Sequence, residues 1–147
     1  MNIVQTLKQL VKTEYADVYN LVESIAKTYG WKNSLKAKNS EAISDYLFEI
    51  SEKFPELRSS FFFSKSCSVC GVKWEVQLFF NLETKEAYFV TKLFNKRLLV
   101  DESTQINHLP SNSLVPTHLA YLFAELVSVF ATKCKEGTKQ FLRKTIA

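Results

Sequence analysis

A chain of 147 residues, 46% hydrophobic and 14% aromatic, is about one domain long and too apolar for disorder. Its formal charge of +4 permits an acidic partner or nucleic acid and demands neither. No apolar run approaches the length of a membrane span, and three cysteines, an odd number, with no Asn-x-Ser/Thr acceptor, fit a reducing interior, so a cytoplasmic setting with no membrane partner is expected.

The opening residues, MNIVQTLKQLVK, break up every apolar pair with polar residues and lack the continuous core of a signal peptide. From Ile3 to about Tyr29 the positions Leu7, Leu10, Val11, Val18, Leu21, Val22, Ile25 and Tyr29 repeat at three and four, which predicts one amphipathic helix stopped by Gly30. A basic, irregular linker follows, WKNSLKAKN. Asn39 or Ser40 then caps a second helix that buries Ile43, Tyr46, Leu47 and Ile50 and ends at Pro55.

Phe61-Phe62-Phe63 reads as a short strand or the entry to one. The strongest pattern in the chain comes next. Val72, Trp74, Val76, Leu78 and Phe80 alternate with Lys73, Glu75, Gln77 and Phe79, and the turn at residues 82–85 leads into a second β-rich run, 86–95. A four-residue loop sets the register: Phe80 faces Ala87, Leu78 faces Phe89, Val76 faces Thr91 and Trp74 faces Leu93. On the other side Phe79 meets Tyr88 and Glu75 meets Lys92. A slip of one residue would lose both of those pairings.

Residues 97–100 suit a short further strand. Residues 101–116 show no periodicity and carry two prolines, so they are expected to form a long loop, a kind of segment that is often functional. A last helix should start at Pro116 or Thr117 and bury Leu119, Leu122, Phe123, Leu126, Val127 and Phe130 before a basic tail. The expected fold is a single α+β domain. Its helical front spans 1–57, a small antiparallel sheet of three or four strands spans 58–100 with a central hairpin at 72–95, and a helix and tail at 117–147 follow the loop. Two N-terminal helices and one C-terminal helix pack on the sheet.

Charge is unevenly spread along this plan. Residues 1–57 hold seven Lys/Arg against eight Asp/Glu, whereas residues 58–100 hold seven against three. Basic character therefore collects on the sheet and on the tail.

Few motifs carry chemistry. Cys67-Ser68-Val69-Cys70 has the spacing of half a zinc site, but a structural zinc needs four ligands, and only His108, His118 and Cys134 remain. Sharing the site across a homodimer would complete it. A redox dithiol is disfavoured because the pair precedes a strand rather than a helix, and the plain reading is two reduced cysteines in a tight turn. The two histidines define no triad, which is a matter of geometry and not of composition. With Gly30, Gly71 and Gly137 far apart, no phosphate-cradling glycine loop can be written.

What is left is the second face of the hairpin, where Phe79, Tyr88, Lys92 and Phe94 mix aromatic and basic character. By subtraction the chain reads as a protein-binding module, an inhibitor, immunity-type or adaptor protein rather than an enzyme. It would use Phe79, Tyr88, Lys92 and Phe94, with the loop at His108 as a second patch and no cofactor. The rival reading is a nucleic-acid binder using Lys73, Lys96, Arg97, Lys133, Lys139, Arg143 and Lys144. A zinc-stabilised domain at Cys67 and Cys70 is the third. Against the first two stands a simpler outcome, in which a helix covers this face and its lysines snorkel at the rim.

Overall fold

In a computed structural model the described residues are 2–69, 72–94, 105–109 and 116–124, together with 132, 135, 136, 138, 139 and 143. They form an α+β fold around a five-stranded antiparallel sheet in simple sequential order. The strands are β1 (Lys32–Asn33), β2 (Phe61–Val69), β3 (Val72–Asn81), β4 (Glu86–Phe94) and β5 (Gln105–His108). Three helices precede the long strands, α1 (Ile3–Thr13), α2 (Ala16–Thr28) and α3 (Ser40–Lys53), and residues 116–124 form α4. No helix among the described residues is long and apolar enough to cross a membrane.

The central hairpin adopts the expected register, with Trp74 opposite Leu93, Glu75 opposite Lys92, Phe79 opposite Tyr88 and Phe80 opposite Ala87. Asn81 builds its turn. The Asn81 Oδ1 accepts from the amides of Glu83 (3.0 Å) and Thr84 (3.1 Å), and Lys85 takes the left-handed conformation at φ 60° that lets the chain return. Alternation then divides the sheet into two faces. One carries Phe61, Phe63, Trp74, Val76, Leu78, Phe80, Ala87 and Phe89. The other carries Phe62, Ser64, Gln77, Phe79, Tyr88, Val90 and Lys92.

The first face packs under α4. Phe123 lies against Phe63 and Trp31 with ring centroids 5.6 and 5.4 Å apart, and the Trp31 Nε1 donates to the Phe123 carbonyl (3.1 Å). Trp74, also on this face, donates its Nε1 to Thr138 Oγ1 (2.9 Å), so that Thr138 closes the same layer. The second face meets α3, whose Tyr46 stacks edge-on against Phe62.

Several expectations are corrected by the structure. The helix read over 3–29 is two helices. The break falls at Glu14 and Tyr15, the one turn of the apolar stripe without an aliphatic residue, and there the Tyr15 amide reaches back to the Leu10 carbonyl (3.4 Å). The linker is not irregular throughout: Trp31 is buried, Lys32–Asn33 pair with Phe63 and Ser64, and Ser34–Lys36 form a 3₁₀ turn. The strand begun by the three phenylalanines runs on to Val69. The loop expected over 101–116 contains β5, which is too short to show periodicity and forms by pairing with Thr91, Val90, Phe89 and Tyr88. The last helix, α4, begins where expected and buries Leu119, Leu122 and Phe123. Leu126, Val127 and Phe130 lie outside the described residues, as does the strand expected over 97–100.

Gly30, at φ 81°, ends α2 as its position after the apolar stripe predicts, and Asn39 caps α3 by accepting from the Ala42 amide (3.0 Å).

Candidate functional site

Read across the strands, the second sheet face falls into rows. The row nearest the hairpin turn, Phe62, Phe79, Tyr88 and His108, is apolar and aromatic. The next is Lys32, Ser64, Gln77 and Val90, and the one after it Ser66, Glu75 and Lys92. Polarity thus rises along β2 and β3 away from the turn. The covering helix follows that gradient: Tyr46 lies on Phe62, Phe62 lies on Phe79 at a centroid distance of 4.9 Å, and Phe79 is wholly buried.

Past Tyr46 the face opens into a cleft of about 910 Å³, within the range of pockets that hold small molecules or peptide side chains. One wall is the N-terminal turn of α3 and the loop before it, with Ala37, Ala42, Ile43 and the Tyr46 ring. The floor is Phe62, Ser64, Gln77 and Glu75. A chain of hydrogen bonds fixes the polar part of the floor. The Tyr46 hydroxyl donates to Gln77 Oε1, and Gln77 Nε2 donates to Glu75 Oε2 at 2.8 Å. The Gln77 side chain is buried and uses both ends of its amide, so it acts as a fixed strut between helix and sheet. Burial, above all, pushes the Tyr46 phenol up, and the nearby Glu75 carboxylate adds to the rise. Tyr46 is therefore a neutral donor throughout the physiological range.

The rim is basic. Lys27, Lys32, Lys36, Lys38 and Lys92 surround the opening against Glu23 and Glu75. Lys36 pairs with Glu23, and Lys92 holds its Nζ 4.4 Å above the Tyr46 ring, a cation–π contact that keeps the ammonium over the mouth.

The residues singled out from sequence are dispersed by this arrangement. Phe79 is withdrawn from any contact patch, because the row it belongs to is the one the helical layer covers. Tyr88 and His108 do come together, their rings 4.9 Å apart at the β4–β5 edge, and the Tyr88 hydroxyl donates to Glu86 Oε2 (3.0 Å). Partial burial, with the Glu86 carboxylate beside it, raises the Tyr88 phenol. His108 ends a strand rather than sitting in a loop. Lys92 is the one expected contact residue placed in the cleft, and the Phe94 side chain lies outside the described residues.

Of the basic residues in the rival reading, Lys73, Lys139 and Arg143 are exposed, while Lys96, Arg97, Lys133 and Lys144 lie outside the described residues. Cys67 is a strand residue opposite Trp74 rather than part of a turn; its side chain and Cys70 are outside the description. Among the described residues no group of three or more His, Cys, Asp and Glu is placed to hold a metal. The two histidines belong to opposite layers, His108 on β5 and His118 on α4 against Tyr121.

No protein family matches the chain, and neither a curated protein nor a solved structure does. The site's own chemistry is thus what its function can be argued from.

Sequence reading missed Tyr46, Gln77, Ser64 and the lysines of the linker as members of one site. One usable signal was present: Ser64, Ser66 and Ser68 alternate with Lys65 and Cys67, a period of two that continues the strand past the phenylalanines. The lysines at 27, 32, 36 and 38 converge only because the chain turns twice between α2 and α3, and nothing local announces that.

Proposed function

We propose that the protein acts by contact rather than by turnover, as an inhibitor, immunity-type or adaptor module that takes a segment of a partner protein into the cleft beside α3. The observation that carries this reading is the cleft itself: an opening of about 910 Å³ with an apolar wall, a hydrogen-bonded polar floor and a lysine-rich rim, built on a helix and two strands. Rigid elements hold such a surface ready, so little ordering is needed when a partner arrives. The apolar wall of Ile43 and Tyr46 offers an anchor for one partner side chain, and Lys92 and Lys38 orient what surrounds it. The odd cysteine count supports placing this activity in the reducing cytoplasm.

A photo-crosslinking residue at Ala37, on the cleft wall, should yield one defined protein adduct in cells. The adduct should vanish when Ala42→Trp fills the opening, and a crosslinker at Glu52 on the exposed side of α3 should not form it. Identical products from both positions, or an adduct that survives Ala42→Trp, would remove the cleft from consideration. A nucleic-acid adduct that disappears steeply with salt would transfer the function to the rival reading.

A further inference from the structure

Strand β2 is nine residues long, yet its outer neighbour β1 covers only two of its positions, Phe63 and Ser64. The Phe62 amide points to that outer side, where it donates to Ser34 Oγ (3.1 Å). In an antiparallel ladder the main-chain groups of every second residue face the same neighbour, so the amides and carbonyls of Ser66 and Ser68 also face outward. The chain before β1 does not cover them. It turns away at Gly30, the residue that would face Ser66; the Gly30 amide donates to the Lys27 carbonyl (3.1 Å) and not to β2. Among the described residues no strand lies beside Ser66 and Ser68, and both serines are exposed.

Open edges are usually guarded by a bulge, a proline or an overlying lysine. Here the pairing of β2 with β3 runs unbroken from Phe61 to Val69, with no bulge and no proline. The Lys65 side chain is engaged elsewhere, its Nζ donating to the Tyr29 carbonyl (3.1 Å). This unguarded edge borders the cleft directly, because Lys32 and Ser64, the last pair between β1 and β2, also line it. Around it stand five lysines against two glutamates, and one of those glutamates, Glu23, is already paired with Lys36.

We infer that an extended acidic segment of a partner protein adds a strand to β2 at Ser66–Ser68. Its main chain takes up the outward amides and carbonyls, and its carboxylates meet Lys32, Lys38 and Lys92. This rests on the contact reading above and names the conformation and charge of what is bound. Strand addition draws affinity from main-chain bonds and selectivity from alternate side chains, which suits an edge whose own side chains are small serines. A second copy of this chain is the less fitting occupant, since it would bring the same lysine excess to the same edge.

The test uses the full chain and a fluorescent, end-capped peptide of alternating threonine and glutamate, read by anisotropy at low salt. Saturable binding is expected, and the corresponding threonine–lysine peptide should not bind. Ser66→Pro removes one outward donor and leaves pairing with β3 intact, since proline is tolerated where the missing N–H faces solvent. It should weaken binding about tenfold, whereas Ser66→Ala should not. Should Ser66→Pro misfold by circular dichroism, the unaltered protein with a peptide N-methylated at alternate residues gives the same answer.

Equal binding to wild type and Ser66→Pro, or to the N-methylated peptide, overturns strand addition while leaving the cleft adduct at Ala37 standing. Absence of saturable binding alongside that adduct overturns the acidic segment. A dimer in ultracentrifugation that Ser66→Pro dissolves would make the second copy the occupant and overturn the proposal.

Discussion

The two ends of one sheet face behave as different materials. At the turn end, Phe62, Phe79 and Tyr88 sit side by side, and α3 covers the row through Tyr46. At the far end, the same three strands present Ser66, Glu75 and Lys92, and a cleft opens instead. Both ends obey the same alternation, so which face a residue belongs to does not decide whether it is covered. The change along β2 and β3 decides it: Phe62 to Ser64 to Ser66, and Phe79 to Gln77 to Glu75. A helix lies where burying aromatic area is favourable and stops where the sheet would offer it serines and charges.

The sharpest way to break this contrast is to truncate one residue at each end. Phe79→Ala empties a fully buried ring site against Phe62 and should cost about 3–5 kcal/mol in urea unfolding. Ser66→Ala, on the exposed end, should change stability by less than about 0.5 kcal/mol. Comparable losses at both positions would mean that the far end is also covered.

The boundary between the two ends is Gln77, and it gives the next largest effect. Gln77→Leu leaves the Tyr46 hydroxyl without its acceptor next to buried surface, for a cost of about 1–3 kcal/mol. Adding Tyr46→Phe should recover part of that loss, because the stranded hydroxyl is then gone. The double-mutant cycle should therefore show clear coupling. Strict additivity would mean that the bond contributes nothing to holding α3 on the sheet.

How much of this was legible beforehand follows from the same contrast. The hairpin register could be read because Glu75–Lys92 and Phe79–Tyr88 both require it and a slip would destroy both pairings. The end of β2 was not read, since Ser64, Ser66 and Ser68 have little strand propensity of their own and are held by pairing with Gln77, Glu75 and Lys73. Covering of Phe79 was the simpler of the outcomes the sequence left open, since the amphipathic helices need an apolar surface to bury, but an aromatic on the second face of a hairpin also fits a contact patch. Deciding between them required knowing where α3 lands, which is tertiary information. The cleft was illegible for the same reason: its lysines come from α2, the linker and β4.

Two tyrosines extend the comparison to high pH. Burial, opposed by the hydrogen bond from Asn33 and aided by the Glu23 carboxylate, pushes Tyr19 up to about 12 from 10.0, and Tyr46 is raised as well. Both groups hold their protons more tightly folded than unfolded. Between pH 10 and 12 the unfolded chain has therefore lost protons that the folded chain keeps, and stability falls as pH rises through that window. Below pH 10 these two groups contribute no slope. Tyr46→Phe should flatten the alkaline decline, and tyrosinate absorbance should show fewer tyrosines titrating in the folded protein than in urea. An unchanged alkaline limb in the Tyr46→Phe variant would place that hydroxyl in water and α3 off the sheet.

A smaller stability effect than at Gln77 is expected at Lys92, and it separates the two ends most cleanly. Its Nζ lies 4.4 Å from the Tyr46 ring centroid, and Glu75 faces it across the strand pair. Lys92→Met keeps the aliphatic stem on the ring and removes only the charge, so the cation–π loss is about 0.5–1 kcal/mol. Binding should respond differently. At a rim where the remaining lysines share the work of attracting carboxylates, removing the one poised over the mouth should weaken the threonine–glutamate peptide about fivefold at low salt and much less at high salt. Phe79→Cys, a milder truncation, should do the reverse, lowering stability by more than Lys92→Met while leaving peptide affinity of the folded fraction unchanged. If instead the two substitutions move stability and affinity in proportion, the gradient along the strands has no functional meaning, and the open end of the face is merely surface that the helix fails to reach.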